Sequence, residues 1–302
     1  MTHQFGGTAS DGLRHISVGK DGAVWGAGKT DGALFYRKGG LGDAWIPNKD
    51  GTADVVAVVS ENHVWCVNKD HQLWHLENGK WNPVPTHSGK ADAKTISVGG
   101  VDGTVWYAQT DDKLFRREGG AWHVDSTGKG KATVIAAVSK DEVWCVNEAH
   151  EIWHLKSGQW TRIPTHSGGA DAKTISVSAD GTVWYGKTDD TIFRREGDAW
   201  HSVDGRATVL AIGSKDNVWC VNSDGDAFHR TSQGTWQKVD QPKGSWEYKV
   251  KQNDGLYAIV RQQYNLRDEK EVQRIVGLVA AENHIQNKDW IAADTVLKLQ
   301  TY

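Results

Sequence analysis

The stretch TISVGGVDGTVWYAQTDDKLFRREGGAW, Thr95 to Trp122, and its near copy TISVSADGTVWYGKTDDTIFRREGDAW, Thr174 to Trp200, decide the fold. Four runs lie in the first: Thr95 to Val98, Thr104 to Ala108, Lys113 to Arg117 and Ala121 to Val124. Each is too short for a helix and rich in β-branched and aromatic residues, and turn residues such as Asp102, Gly103, Gly119 and Gly120 separate them. The unit is a four-strand meander. Outward from it, a Val-Trp dipeptide ends in Trp25, Trp65, Trp106, Trp144, Trp184 and Trp219, and a second tryptophan follows each at Trp45, Trp81, Trp122, Trp160, Trp200 and Trp236. Six units therefore fill residues 1 to about 242. One meander cannot bury both its faces, and stacking copies around an axis lets it do so. An all-β, six-bladed β-propeller over residues 1–240 is predicted, with 241–245 as a linker.

A second period lies on the first. Units one, three and five carry LFYR, LFRR and IFRR; units two, four and six carry VWCVN followed by LWHL, IWHL and AFHR. The module is a blade pair repeated three times, which implies pseudo-threefold symmetry. Cys66, Cys145 and Cys220 occupy equivalent positions, so they read as small buried side chains rather than a disulfide framework.

Composition narrows the function. With 35 basic against 38 acidic residues and no basic block, the chain lacks the electrostatic footprint of a nucleic-acid binder. No run approaches the roughly 20 apolar residues that span a bilayer. The start, MTHQFGGTASDG, has neither the positive nor the apolar region of a secretory leader, so the cytoplasm is the expected location, with leaderless export to a cell surface as the other route.

The two quoted stretches resemble the tectonin repeat, whose pattern runs ISVG, DG, VWGVN, I(Y/F)RR, G and a closing W. Six successive units match it, with cysteine replacing the glycine of VWG in the even units. The resemblance implies a six-bladed propeller lectin with several equivalent glycan sites, directed at methylated or N-acetylated sugars.

Past Trp236 the apolar spacing becomes helical: Leu256, Ile259, Val260 and Tyr264, then Val272, Ile275, Val276 and Val279. Asp254 is the expected N-cap of the first helix, and Asp268 and Glu269 suit the start of the second. With YKV before and TVLKL after, the order is strand, helix, helix, strand. YKVKQNDGLYAIVRQQY, AAEN at Ala280 to Asn283 and IAADTVLKL together resemble the lysin motif (LysM), over residues 246–302, although NDGL stands for the family's GDTL and the closing glycine and proline are missing. That resemblance implies a small βααβ domain binding N-acetylglucosamine polymers, peptidoglycan or chitin, with Asp254, Gly255, Leu256, Tyr257, Asn283 and Ile285 at the groove.

Every polar cluster of residues 1–242 recurs, whereas a catalytic site is one unique constellation. No enzyme is expected, and no cofactor, phosphate-loop or metal motif is present. His75, His154 and His229 are equivalent positions and cannot meet at one ion unless they line the axis. Repeated weak sugar sites on one rigid ring gain avidity of ~100-fold or more. In a meander, the second-to-third-strand turn and the crossing to the next blade share a face, and the longer polar segments lie there. Three sites are expected, each between an even blade and the following odd blade. The first combines Thr86, His87 and Ser88 with Asp111 and Asp112; the second, Thr165, His166 and Ser167 with Asp189 and Asp190; the third, Thr2 and His3 with Asp31. Trp106, Trp184 or Trp25 would take the sugar's ring face, and Arg117 and Arg195 would only pair with a rim carboxylate. The expected function is multivalent glycan binding; the alternative is an adaptor of a surface or secretion assembly that binds protein.

Overall fold

The computed structural model describes residues 12–40, 42–125, 127, 130–242, 246–264, 266, 269–289 and 291–299. The chain forms two compact units, one of Asp11–Asp43 with Asn48–Gln241, the other built on Pro242–Tyr302. In the first, six antiparallel sheets of four consecutive strands each make the six blades, spanning 13–52, 55–84, 93–124, 134–163, 172–206 and 209–238. The propeller read from the repeats is thus present. Among the described residues no sheet borrows a strand from another, and blade six packs on blade one.

The strands of blade three run Ala93–Val98, Val105–Gln109, Leu114–Glu118 and Ala121–Val124. First strands line an axial cavity of about 100 Å³. There His15 is neutral at ordinary pH, since burial pulls it down to about 4. Second strands are enclosed on all sides, and Val24–Gly28 is buried at every residue. Each buried indole removes ~200 Å² from water, about 5 kcal/mol at the usual transfer coefficient, which is why tryptophan recurs. The three cysteines share these strands as free, buried thiols, and desolvation raises all three, Cys220 to about 12.

A backbone latch joins every blade to the next. In each second-to-third-strand turn one residue is left-handed: Gly32, His71, Asp112, His150, Asp190 and Gly225, with φ between +61° and +90°. Its carbonyl accepts the amide that opens the next blade, from Ala53, Ala93, Ala132, Ala172, Ala207 and Leu13 in turn, over 2.8–3.0 Å. The last of these closes the ring. At that seam only glycine fits, for a Cβ on Gly12 would lie 2.8 Å from the Gly225 Cα.

Joints from an odd blade to the even blade after it carry a further clamp. Ser17, Ser97 and Ser176 accept the amides of Val58, Ala137 and Ile212 at 3.2, 3.0 and 3.1 Å. Asp21, Asp102 and Asp180 accept those of Glu61, Lys140 and Lys215 at 2.9, 2.9 and 3.0 Å. The threefold period read from the sequence is therefore a period of joints.

In the C-terminal unit, Trp246–Lys249 pairs antiparallel with Val296–Leu299, and helices Leu256–Tyr264 and Glu269–Glu282 intervene. The expected order of elements is found. Leu256, Ile259, Val260, Val272, Ile275 and Val276 form its core with Leu297 and Leu299. The expected cap is not: the Gly255 carbonyl accepts the first helical amide, from Ile259 at 3.0 Å. The Asp254 carboxylate instead closes its own turn, accepting the Lys251 amide at 2.8 Å and the Tyr248 hydroxyl at 2.7 Å. Asp268 lies outside the described residues. Among the described residues, no helix is long and apolar enough to cross a membrane.

Candidate functional site

Joints from an even blade to the next odd blade are built from arginine and tryptophan. Arg117 and Arg195 stand next to last in the third strands of blades three and five, and alternation turns each onto the preceding blade. The Arg195 guanidinium lies 5.5 Å from the Trp144 ring of blade four and 5.3 Å from Trp200 of its own blade. Arg117 lies 5.5 Å from Trp65 and 5.3 Å from Trp122. Such a cation between indole faces gains roughly 0.5–2 kcal/mol, more where water is excluded.

The crossing segment roofs each joint. Trp122 and Trp200 donate their indole N–H to the carbonyls of Pro85 and Pro164 at 2.7 and 2.8 Å. Amides of His87 and His166 donate to the hydroxyls of Tyr107 and Tyr185 at 2.8 and 2.9 Å, and both phenols are raised to about 12, chiefly by burial. Both imidazoles stack on Phe115 and Phe193 with centroids 4.7 Å apart. Beside the second joint opens a cleft of about 480 Å³, lined by Ile163, Pro164, Thr165, His166, Arg195, Asp198, Ala199 and Trp200. Arg195 reaches Asp198 at 2.9 Å there.

Of the expected sugar-site residues, Thr165 and His166 reach this cleft, while Ser167, Asp189 and Asp190 do not line it. Ser167 bonds Asp171 at 2.6 Å, and Ser88 bonds Asp92. Thr86 and Thr165 are buried, their hydroxyls bonded to the Lys90 and Gly169 carbonyls at 2.5 and 3.1 Å. The expected meeting of histidine and carboxylate does not form. Asp111 pairs with Lys113 at 2.7 Å, and Asp112 and Asp190 pair with Lys94 and Lys173, both at 2.6 Å. Asp31 caps its own turn at the Ala33 amide, 2.9 Å away, and Thr2 and His3 lie outside the described residues. Crossing and turn do share a face, because the Thr110 amide donates to the Asp92 carbonyl at 2.8 Å.

Trp25, Trp106 and Trp184 are 1%, 0% and 2% exposed, so the expectation that one of them takes a sugar ring is corrected: they are joint core. Arg195, Asp198 and Trp200 are the residues that sequence reasoning missed as a site. Its signal was the arginine that closes the LFYR, LFRR and IFRR runs of the odd third strands, which faces the joint. His75 and His154 do not line the axis but stack on Trp65 and Trp144, at 4.1 and 3.9 Å.

In the C-terminal unit the expected groove residues divide. Asp254 is held in its turn, as above, and Leu256 is fully buried. Tyr257 and Ile285 are half-buried against the core. Asn283 is saturated by backbone: its amide nitrogen donates to the Val279 and Lys298 carbonyls at 2.9 and 2.8 Å, and its oxygen accepts the Lys298 amide at 2.6 Å. It extends the sheet rather than offering its side chain. Among the expected groove residues, Gly255 serves as the helix cap.

The Tectonin domain family model matches residues 131–253, which supports the tectonin-repeat reading of the propeller. No curated protein matches the chain. Similar solved structures are propellers. One, YCF48 bound to a D1 peptide, has a TM-score of 0.50 at 16% identity, over 79% of this chain and 87% of that one. Another is selenomethionine-substituted virginiamycin B lyase from Staphylococcus aureus, with a TM-score of 0.52 at 15% identity over 76% and 84%. A catalytically inactive form of that lyase with quinupristin gives 0.52 at 17% over 81% and 91%. At such identities the likeness shows the fold alone. It nevertheless overturns the expectation that a ring of repeated blades is not an enzyme, since a lyase is built on the same fold, and repetition of polar clusters does not exclude catalysis.

Proposed function

We propose that the protein is a multivalent glycan-binding protein whose propeller sites are the joints between an even blade and the following odd blade. The observation that carries this is the cleft of about 480 Å³ beside Arg195 and Trp200, with Thr165 and His166 at its wall. A planar cation and an indole at the cleft wall suit a sugar, whose hydroxyls need fixed donors and whose CH faces need an apolar wall. The tectonin family match over residues 131–253 includes this cleft and supports the same reading. Joint 2–3 repeats the set with Pro85, Thr86, His87, Arg117 and Trp122. Joint 6–1 keeps Arg37, 5.2 Å from Trp219. Methylated or N-acetylated sugars are the proposed ligands.

The C-terminal unit is proposed as a LysM-like module for N-acetylglucosamine polymers, supported by its element order and by Tyr257 beside the Gly255 cap. With Asn283 engaged by backbone, the groove contacts fall to the main chain and Tyr257.

A glycan array on the intact chain, followed by calorimetry on the best ligand, tests the propeller reading. Two or three sites per chain, of unequal affinity, are expected. An array with no retained glycan, beside retention of a protein partner, would establish the adaptor instead. For the C-terminal unit, chitotetraose should shift the amide resonances of Gly255 and Tyr257 in the intact protein, and unmoved resonances at millimolar ligand would remove sugar binding there.

A further inference from the structure

The even-to-odd joints share a scaffold and differ in their acceptors. In blade four, Glu142 stands at the edge of the joint and its carboxylate takes the Nε2 of His154 at 3.0 Å. In blade six, Asn217 fills the same position, and its oxygen accepts from both Trp219 Nε1 at 2.7 Å and His229 Nε2 at 3.2 Å. Blade two has His63 there instead, tilted against His75 with centroids 4.7 Å apart. In consequence His75 Nε2 and Trp65 Nε1 are both buried without a partner.

The arginine tells the same story independently. Arg195 reaches Asp198, Arg37 is attracted by Asp43 and Asp240, and Arg230 by Asp204. Arg117 has Gly120 where blade five has Asp198, and among the described residues no hydrogen bond or ion pair engages it. Burial alone acts on its charge, in the direction of loss. Two separate positions, 63 and 120, have thus each lost an acceptor at one joint, leaving two buried donors, Trp65 Nε1 and His75 Nε2, and one half-buried guanidinium around the Trp65 ring. Buried donors without acceptors are costly and uncommon in folded proteins, and a guanidinium is suited to a carboxylate. Among the described residues, the acid that acts on His75 is Glu77, which sits exposed at the end of its strand and acts through its charge at a distance.

We propose that the joint between blades two and three binds an acidic sugar, a uronic or sialic acid, with its carboxylate on Arg117 between Trp65 and Trp122 and within reach of the His63–His75 pair. Joint 4–5, which supplies its own carboxylates at Glu142 and Asp198, takes a neutral sugar. This rests on the glycan-binding reading above and names the ligand class of one of its sites.

The test uses the intact protein with methyl β-glucuronide, methyl β-glucoside and acetate as probes. The glucuronide should bind at one site per chain at least 10-fold more tightly than the glucoside, and its affinity should fall as salt rises. His63→Glu, which installs the residue blade four already carries, should abolish that preference while leaving the melting temperature unchanged or raised. Asp198→Gly combined with Glu142→His, the reverse changes at joint 4–5, should create a second glucuronide site. Equal binding of glucuronide and glucoside would overturn the inference and leave the glycan reading standing. Acetate competing as well as the glucuronide would overturn it too, since the site would then take any carboxylate, an acidic peptide included. No sugar bound by any form would remove both.

Discussion

Joints of the first kind, odd blade to even, are closed by short polar side chains acting on backbone; joints of the second kind, even to odd, are held by long side chains acting on one another. Ser97 and Asp102 satisfy fixed amides of the next blade, and such contacts leave no room for a ligand. Arg195 and Trp200 pack side by side and leave a cleft. Blade six breaks the rule: Arg230 stands 5.4 Å from Trp184 and 5.5 Å from Trp236 at an odd-to-even joint that keeps its Ser176 and Asp180 clamps as well. The difference makes the blade pair a structural unit, clamped inside by backbone contacts and, at joint 4–5, edged by a cleft.

The largest effect should come from the core of a rigid joint. Trp106 is fully buried and donates its indole N–H to the Ser139 carbonyl of the next blade at 3.1 Å. Trp106→Ala should cost about 3–5 kcal/mol in urea unfolding. A loss under about 1 kcal/mol would mean that these joints are not where the ring is held. Smaller is Ser97→Ala, which strands the Ala137 amide in a half-buried site and should cost about 1–2 kcal/mol. The same unfolding measurement separates the two.

Acid should act on the rigid joints selectively. Burial would raise the Asp180 carboxyl, but hydrogen bonds from Ser178, the Lys215 amide and Thr182 outweigh it and bring the group down to about 2. Asp102 is lowered in the same way by the Lys140 and Thr104 amides. A carboxyl depressed in the folded state stabilises it fully above the unfolded value of about 4, and loses that contribution as pH falls through the folded one. The melting temperature should therefore drop between about pH 4 and pH 2, and Asp180→Asn should flatten that slope. An unchanged slope would show that the clamps carry no charge-dependent strength.

How far the sequence disclosed this is set by what repeats. The strands of blade three were legible to within two residues, because short β-rich runs and Asp-Gly turns are local signals. The period of paired blades was legible for the same reason. Which tryptophan a ligand could reach was not, since Trp106 at 0% exposed and Trp200 at 8% differ only by the strand they occupy in the stacked ring. Asp112 and Asp190 looked like ligand residues because aspartate in a turn is polar, but aspartate also tolerates the left-handed conformation, and that is its use here. The arginines faced a neighbour that only the ring supplies. Asn283 likewise needed the final strand in place before its role as a backbone mimic could be seen.

The smallest effect is the one that separates the two faces of the joint. His166 lines the cleft, fixed by its stack on Phe193 and by its ring nitrogen 3.2 Å from the Trp200 carbonyl. Asp189 sits in the neighbouring turn and spends its carboxylate on Thr191, accepting the amide at 3.0 Å and the hydroxyl at 2.6 Å. If the sugar occupies the cleft, His166→Ala should weaken one site by roughly 10-fold, about 1.4 kcal/mol of binding free energy. Asp189→Ala should leave every site within about twofold of the parent, because an exposed acid already engaged in its own turn adds little to a ligand it does not touch. Calorimetry with the ligand found on the array reads both. The reverse result, a loss at Asp189 with His166 silent, would move the site from the cleft to the face of the second-to-third-strand turns, and with it the claim that the open joints are the ones that bind.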